Sequence, residues 1–94
     1  MRTEELDYGA LETRLRALLL SVTAWLADSD VAQIQEFVEH GEYGVALTWM
    51  AHALVEDEAP VPELYIREIA DLANVMGIHG DLPAEFEIDY GSGE

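Results

Sequence analysis

The sequence predicts an all-α fold, a small antiparallel four-helix bundle that ends in an extended acidic C-terminal tail. Three observations predict it. Apolar residues recur at three- and four-residue intervals through four successive segments, the spacing of one helix face. Glycine and proline punctuate the chain between those segments. From residue 82 onward the apolar period shortens to two, the signature of extended backbone.

The first helix is expected over residues 10–26, where Leu11, Leu15, Leu18, Val22 and Trp25 share one face. The second is expected over 30–40. Asp30 followed by Gln33 has the capping-box form, and the simplest account of Ser29 and Asp30 is helix capping. Val31, Ile34, Phe37 and Val38 make its apolar face, and Gly41 supplies the left-handed residue on which helices often end. The third helix spans 42–57, and Pro60-Val61-Pro62 ends the connection after it. Pro62 suits the first turn of a fourth helix, where a missing N–H costs little. Tyr65, Ile69, Leu72 and Met76 are its buried stripe, closed by Gly77.

The tail follows a different rule. Leu82, Ala84, Phe86, Ile88 and Tyr90 alternate with Pro83, Glu85, Glu87 and Asp89, which predicts a strand with no ladder partner in an all-helical chain. Three fates are open to it: lying on its own bundle with Phe86 and Ile88 buried, adding to a sheet edge in a partner, or remaining disordered, as expected for Gly91-Ser92-Gly93-Glu94. The chain thus divides into a helical domain, 1–80, and an extended or partly disordered acidic tail, 81–94.

Composition narrows the function classes. Ninety-four residues, half of them apolar, suffice for one core. The absence of cysteine removes disulfides and thiolate chemistry. Met1-Arg2-Thr3-Glu4-Glu5-Leu6-Asp7 does not read as a signal peptide, and no apolar run is longer than that of Ala17-Leu18-Leu19-Leu20, so a soluble, cytoplasmic protein is expected. Twenty acids stand against four arginines and no lysine, a formal charge of -16. Glu12 precedes Arg16 by four residues and Glu63 precedes Arg67 by four, the favourable order for a helix pair, and no Lys or Arg lies between Arg16 and Arg67. Such a surface repels nucleic acid and anionic lipid and suits a cationic protein partner; simple solubility is the bland alternative.

On a helical wheel the third segment has two apolar faces. Tyr43, Ala46, Leu47, Met50 and Leu54 gather on one, and Val45, Trp49, His52 and Glu56 on nearly the opposite one. A helix apolar on both sides is usually internal, which makes Trp49 core; a peripheral helix would instead expose it as an interface anchor beside His52 and Glu56. Glu56-Asp57-Glu58 then sets three carboxylates at the helix C-terminus, against the macrodipole, and local rule-breaking of this kind marks candidate function. A solvated acidic loop is the competing account.

Catalytic and metal chemistry find little support. His52 and Glu56 could offer two ligands on one helix face but lack a third; His40 sits at a helix end and His79 in a loop. No nucleophile–base pattern, phosphate-binding loop or carboxylate pair rises above the acidic background, so neither an enzyme nor a cofactor is expected. Asp28-Ser29-Asp30 faintly resembles the Asp-Ser-Leu motif of acyl carrier proteins, but the third position is wrong and the long loop between the first two helices is missing.

Residues 31–78 carry a closer resemblance. Phe37-Val38-Glu39-His40-Gly41-Glu42-Tyr43-Gly44-Val45-Ala46-Leu47 resembles the Gly-Glu-Tyr-Gly-x-Ala-Leu segment of MafI-type immunity proteins, the small bacterial antitoxins of polymorphic toxin systems. Leu54-Val55-Glu56-Asp57-Glu58-Ala59-Pro60-Val61 is similar to their Leu-x-Glu-x-Asp-x-Pro segment, and Ile69-Ala70-Asp71-Leu72-Ala73-Asn74-Val75-Met76-Gly77 to their closing helix. Val61 departs from the pattern, and the tail is additional. The resemblance implies an immunity protein that binds and blocks a toxin, with Gly41 and Gly44 serving the corner between the second and third helices and Tyr43 packed beneath it.

Charge adds that the toxin should be basic where they meet, as a nuclease domain is. Candidate partner-binding residues are Glu56, Asp57 and Glu58, with Trp49, Glu85, Glu87 and Asp89 in support. A monomer or weak homodimer is expected. The alternative is an acidic helical adaptor or regulator without a toxin.

Overall fold

The computed structural model describes residues 7–86 and is an all-α bundle of four helices. Helix α1 spans Tyr8–Val22, α2 Asp28–Glu39, α3 Tyr43–Glu56 and α4 Glu63–Met76. Single 3₁₀ turns occupy Thr23–Trp25, His79–Asp81 and Ala84–Phe86. The predicted apolar stripes close on one core: Leu11, Leu15, Leu18 and Val22 of α1, Ile34 and Val38 of α2, Leu47, Met50 and Leu54 of α3, and Ile69 and Leu72 of α4 are all buried, while Trp25, Val31, Phe37, Tyr43, Tyr65 and Met76 of the same stripes are only partly buried at its margin. Among the described residues no polar or charged side chain lies in it.

Helix starts differ from the expectation for local reasons. Asp7 caps α1, its carboxylate accepting from the Ala10 N–H at 3.1 Å, so the helix begins before residue 10. Its α-helical part ends at Val22, where the Thr23 hydroxyl donates to the Leu19 carbonyl at 2.6 Å and a 3₁₀ turn follows. The capping box at Asp30 does not form. Helix α2 starts earlier, with Ala27 as its N-cap and no side-chain cap, and Asp28 and Asp30 fall in its first turn, where they complement the macrodipole. The Asp30 carboxylate serves another donor, the Trp49 indole.

Three helix ends share one backbone motif. At the ends of α2, α3 and α4 the N–H groups of Gly41, Glu58 and Gly77 bond Val38, Val55 and Asn74, at 3.0, 2.9 and 3.1 Å. The following N–H groups, of Glu42, Ala59 and Ile78, reach back to Phe37, Leu54 and Ala73, at 2.9, 3.1 and 2.9 Å. This is the Schellman arrangement, which requires a left-handed residue. Gly41 and Gly77 adopt φ 75° without strain, whereas the same position after α3 is filled by Glu58 at φ 50°. Gly44 does not shape the corner. It lies in the first turn of α3, where an added Cβ would meet the Ile78 side chain at 3.5 Å.

The strand expected from residue 82 is absent from the described part of the tail, where Ala84–Phe86 is a 3₁₀ turn. Leu82 and Phe86 are buried in the same core as the helices, but Ala84 between them is exposed. A strand would have turned all three to one side. With no ladder to join, the backbone gains more from a local turn, in which the Phe86 N–H donates to the Pro83 carbonyl at 2.9 Å. The expected burial of Ile88 lies outside the described residues.

Candidate functional site

Helix α3 has two apolar faces, and only one is internal. Ala46, Leu47, Met50, Ala51, Ala53 and Leu54 are buried, while Trp49 stays 41 % and Val45 47 % exposed. The internal-helix expectation for Trp49 is therefore overturned. Small alanines at 46, 51 and 53 give the core what it needs without the second face, so that face is left to the surface.

Trp49 is nevertheless held. Its Nε1–H donates to Asp30 Oδ1 at 3.2 Å, and its ring lies 5.5 Å from that of Phe37 at a 56° tilt. A polar anchor on one side and an aromatic contact on the other favour this orientation of the indole. Around it lies a groove of about 630 Å³. Val45, Trp49, Ala53 and Ile78 supply its apolar lining, Gly44 the close approach of backbone to Ile78, and Asp30, Glu56 and Asp81 its carboxylates.

Each of those carboxylates comes from a different element: α2, α3 and the turn after α4. His52 contacts the backbone of that turn, its Nε2 lying 3.3 Å from the Asp81 main-chain carbonyl. A carbonyl only accepts, so that nitrogen carries the proton.

The electrostatic setting is one-sided. From residue 17 to 62 the chain carries eight carboxylates (Asp28, Asp30, Glu36, Glu39, Glu42, Glu56, Asp57 and Glu58) and no lysine or arginine. The arginines of the described residues belong to α1 and α4 and are paired there: Arg14 with Glu68 at 2.9 Å, Arg16 with Glu12 at 2.8 Å and Arg67 with Glu63 at 3.0 Å. Exposed pairs of this kind add little to stability, and their main effect is to neutralise the positive charge locally; Arg16 lies beside Gln35 of α2. Glu12 also accepts from the Tyr43 hydroxyl at 3.1 Å, joining α1 to α3. The Arg16 guanidinium first, and the Tyr43 hydroxyl second, hold the Glu12 carboxyl below its usual range. Burial and the hydrogen bond to Glu12 push the Tyr43 phenol up. Tyr43 is thus a link between helices, half-buried with its ring 6.2 Å from that of Tyr8.

The predicted site residues fall into separate groups. Trp49 and Glu56 share the groove. Asp57 is the exposed C-cap of α3. Glu58, turned by its left-handed backbone, lines a different hollow with Val61, Ile66 and Phe86. Glu85 belongs to the Ala84–Phe86 turn, and Glu87 and Asp89 lie outside the described residues. Asp30, Asp81 and Ile78 were missed. Asp30 carries a sequence signal, an acid early in a helix, but one that reads equally well as a cap; Asp81 and Ile78 reach the groove only through the tertiary fold.

Among the described residues no three His, Asp or Glu side chains converge as a metal site, and no helix is long and apolar enough to cross a membrane. No family model, curated protein sequence or solved structure matches the chain.

Proposed function

We propose that this protein is an immunity protein that neutralises a cognate toxin, a nuclease domain with a basic surface, by one-to-one binding to its α2–α3 side. The observation that carries the reading is the groove over Trp49: a half-exposed indole bonded to Asp30, in a groove that Glu56 and Asp81 also line, on a stretch of chain without lysine or arginine. An aromatic anchor inside a polar rim is the composition from which protein interfaces draw most of their binding energy. The uncompensated carboxylates speed encounter with a cationic partner and select against anionic ones. That the partner is a toxin comes from the resemblance of residues 31–78 to MafI-type immunity proteins, and its nuclease class from the cationic surface that this acidic chain calls for. No catalytic step is assigned to the chain, and inhibition follows from carboxylates covering the surface on which the nuclease holds phosphate.

The test is calorimetric titration of the full chain into the C-terminal domain of the protein encoded immediately upstream, alongside a nuclease assay of that domain. Binding near one-to-one, with loss of nuclease activity at the same ratio, supports the reading. Absence of binding overturns this pairing and favours an acidic adaptor.

A further inference from the structure

We infer that the groove over Trp49 seats one arginine side chain, presented by a loop of the basic partner; this deepens the function proposed above and rests on it. The lining and the rim fit the two parts of that side chain. Val45, Trp49 and Ile78 offer an apolar bed for the methylene stem, while Asp30, Glu56 and Asp81, which line the same groove, offer carboxylates to the head. The three carboxylates come from three elements, and a planar fork with five N–H donors can bond one such carboxylate through two of them at once.

Arginine suits the site better than lysine does. The guanidinium is weakly hydrated and stacks on an aromatic ring, whereas the compact ammonium holds its water. Trp49 is already oriented by Asp30 and Phe37, so docking orders less on this side. At about 630 Å³ the groove exceeds a single side chain, leaving room for the loop backbone on either side. A second copy of this chain is a poor occupant: it carries the same -16 charge and would bring acid to acid.

The test uses the ¹⁵N-labelled full chain and the peptide acetyl-Gly-Arg-Gly-amide, following the two indole N–H resonances. Trp25 packs against Tyr65 and does not line the groove, so it is the internal control. The expected result is a saturable shift of Trp49 at millimolar peptide with Trp25 unmoved, and severalfold weaker binding of the lysine peptide. Glu56→Gln and Asp81→Asn should each weaken the arginine peptide about two- to fivefold, the range for an exposed charged contact. A Trp49 resonance that does not saturate, or that responds equally to lysine or norleucine peptides, overturns the assignment whatever the variants do.

The toxin titration separates the two readings. If the toxin domain binds the Glu56→Gln/Asp81→Asn double variant as tightly as the native chain, the arginine seat falls and the proposed function stands. If the toxin domain does not bind while the peptide saturates Trp49, the function falls and the seat stands.

Discussion

Replacing Glu58 with glycine should stabilise the protein. The three helix ends at Gly41, Glu58 and Gly77 carry the same pair of backbone hydrogen bonds, yet only the one after α3 places a side chain in the left-handed region, at φ 50°. For an L-residue that conformation costs roughly 1–2 kcal/mol. The glutamate also adds negative charge at a helix C-terminus, opposed by roughly 0.3–1 kcal/mol. Glycine removes both penalties, but the freer unfolded chain takes back about 0.4–1 kcal/mol. The net gain is about 1 kcal/mol, which for a domain of this size raises Tm by about 4–8 °C. Thermal unfolding followed by circular dichroism, with urea denaturation beside it, reads the change directly.

Two controls divide the effect. Glu58→Gln removes the charge but keeps the strain and should recover only the charge contribution, roughly 0.3–1 kcal/mol. Gly77→Ala introduces the strain at a position where nothing lies within 4 Å of the new Cβ, and should cost about 1 kcal/mol. A neutral or destabilising Glu58→Gly would refute the reasoning, because it would mean that the glutamate makes a native interaction worth more than its strain. A stabilised variant that binds its partner less well would show why the strained residue is kept.

Other outcomes follow from the same geometry. Phe86 is 2 % exposed, so Phe86→Ala should destabilise by about 3–5 kcal/mol in urea unfolding; a change below ~1 kcal/mol would mean that the Ala84–Phe86 turn is not docked. Trp49→Ala should cost about 2 kcal/mol in partner binding, a loss of roughly thirtyfold, measured by calorimetry with the fold checked by circular dichroism. The Glu12 pKa lies below its ordinary 4.5 in the folded chain, so its contribution is present above the unfolded value and lost as pH falls through the folded one. Glu12→Gln should therefore lower Tm at pH 7 and converge with the native protein in strong acid; a difference independent of pH would contradict the Arg16 and Tyr43 contacts.

Much of the fold is legible in the sequence because helix periodicity reports burial directly. Leu11, Leu15, Leu18, Ile34, Ile69 and Leu72 repeat at helical spacing for no reason but the core, and the core is where they are. Alternation in the tail misled, since Leu82 and Phe86 are buried and the intervening Ala84 is not; a short apolar pattern cannot distinguish a strand from a turn that docks two side chains.

The site was half legible. Trp49, His52 and Glu56 share a helix face by arithmetic, but whether that face meets core or solvent depends on where the neighbouring helices sit. Asp30 reads as a cap because caps are local, and its bond to the Trp49 indole spans 19 positions. Asp81 and Ile78 carry no local signature, and only the return of the chain after α4 brings them to the groove.

The most direct test of the central claim, that the α2–α3 side binds a basic partner through its charge, is the salt dependence of toxin-domain affinity for the native chain and for Glu56→Lys. The account predicts that native affinity falls at least about tenfold between low and high salt as the exposed charges are screened, and that Glu56→Lys binds more weakly with a shallower salt dependence. Affinity indifferent to salt, or unchanged by the reversal, would contradict it.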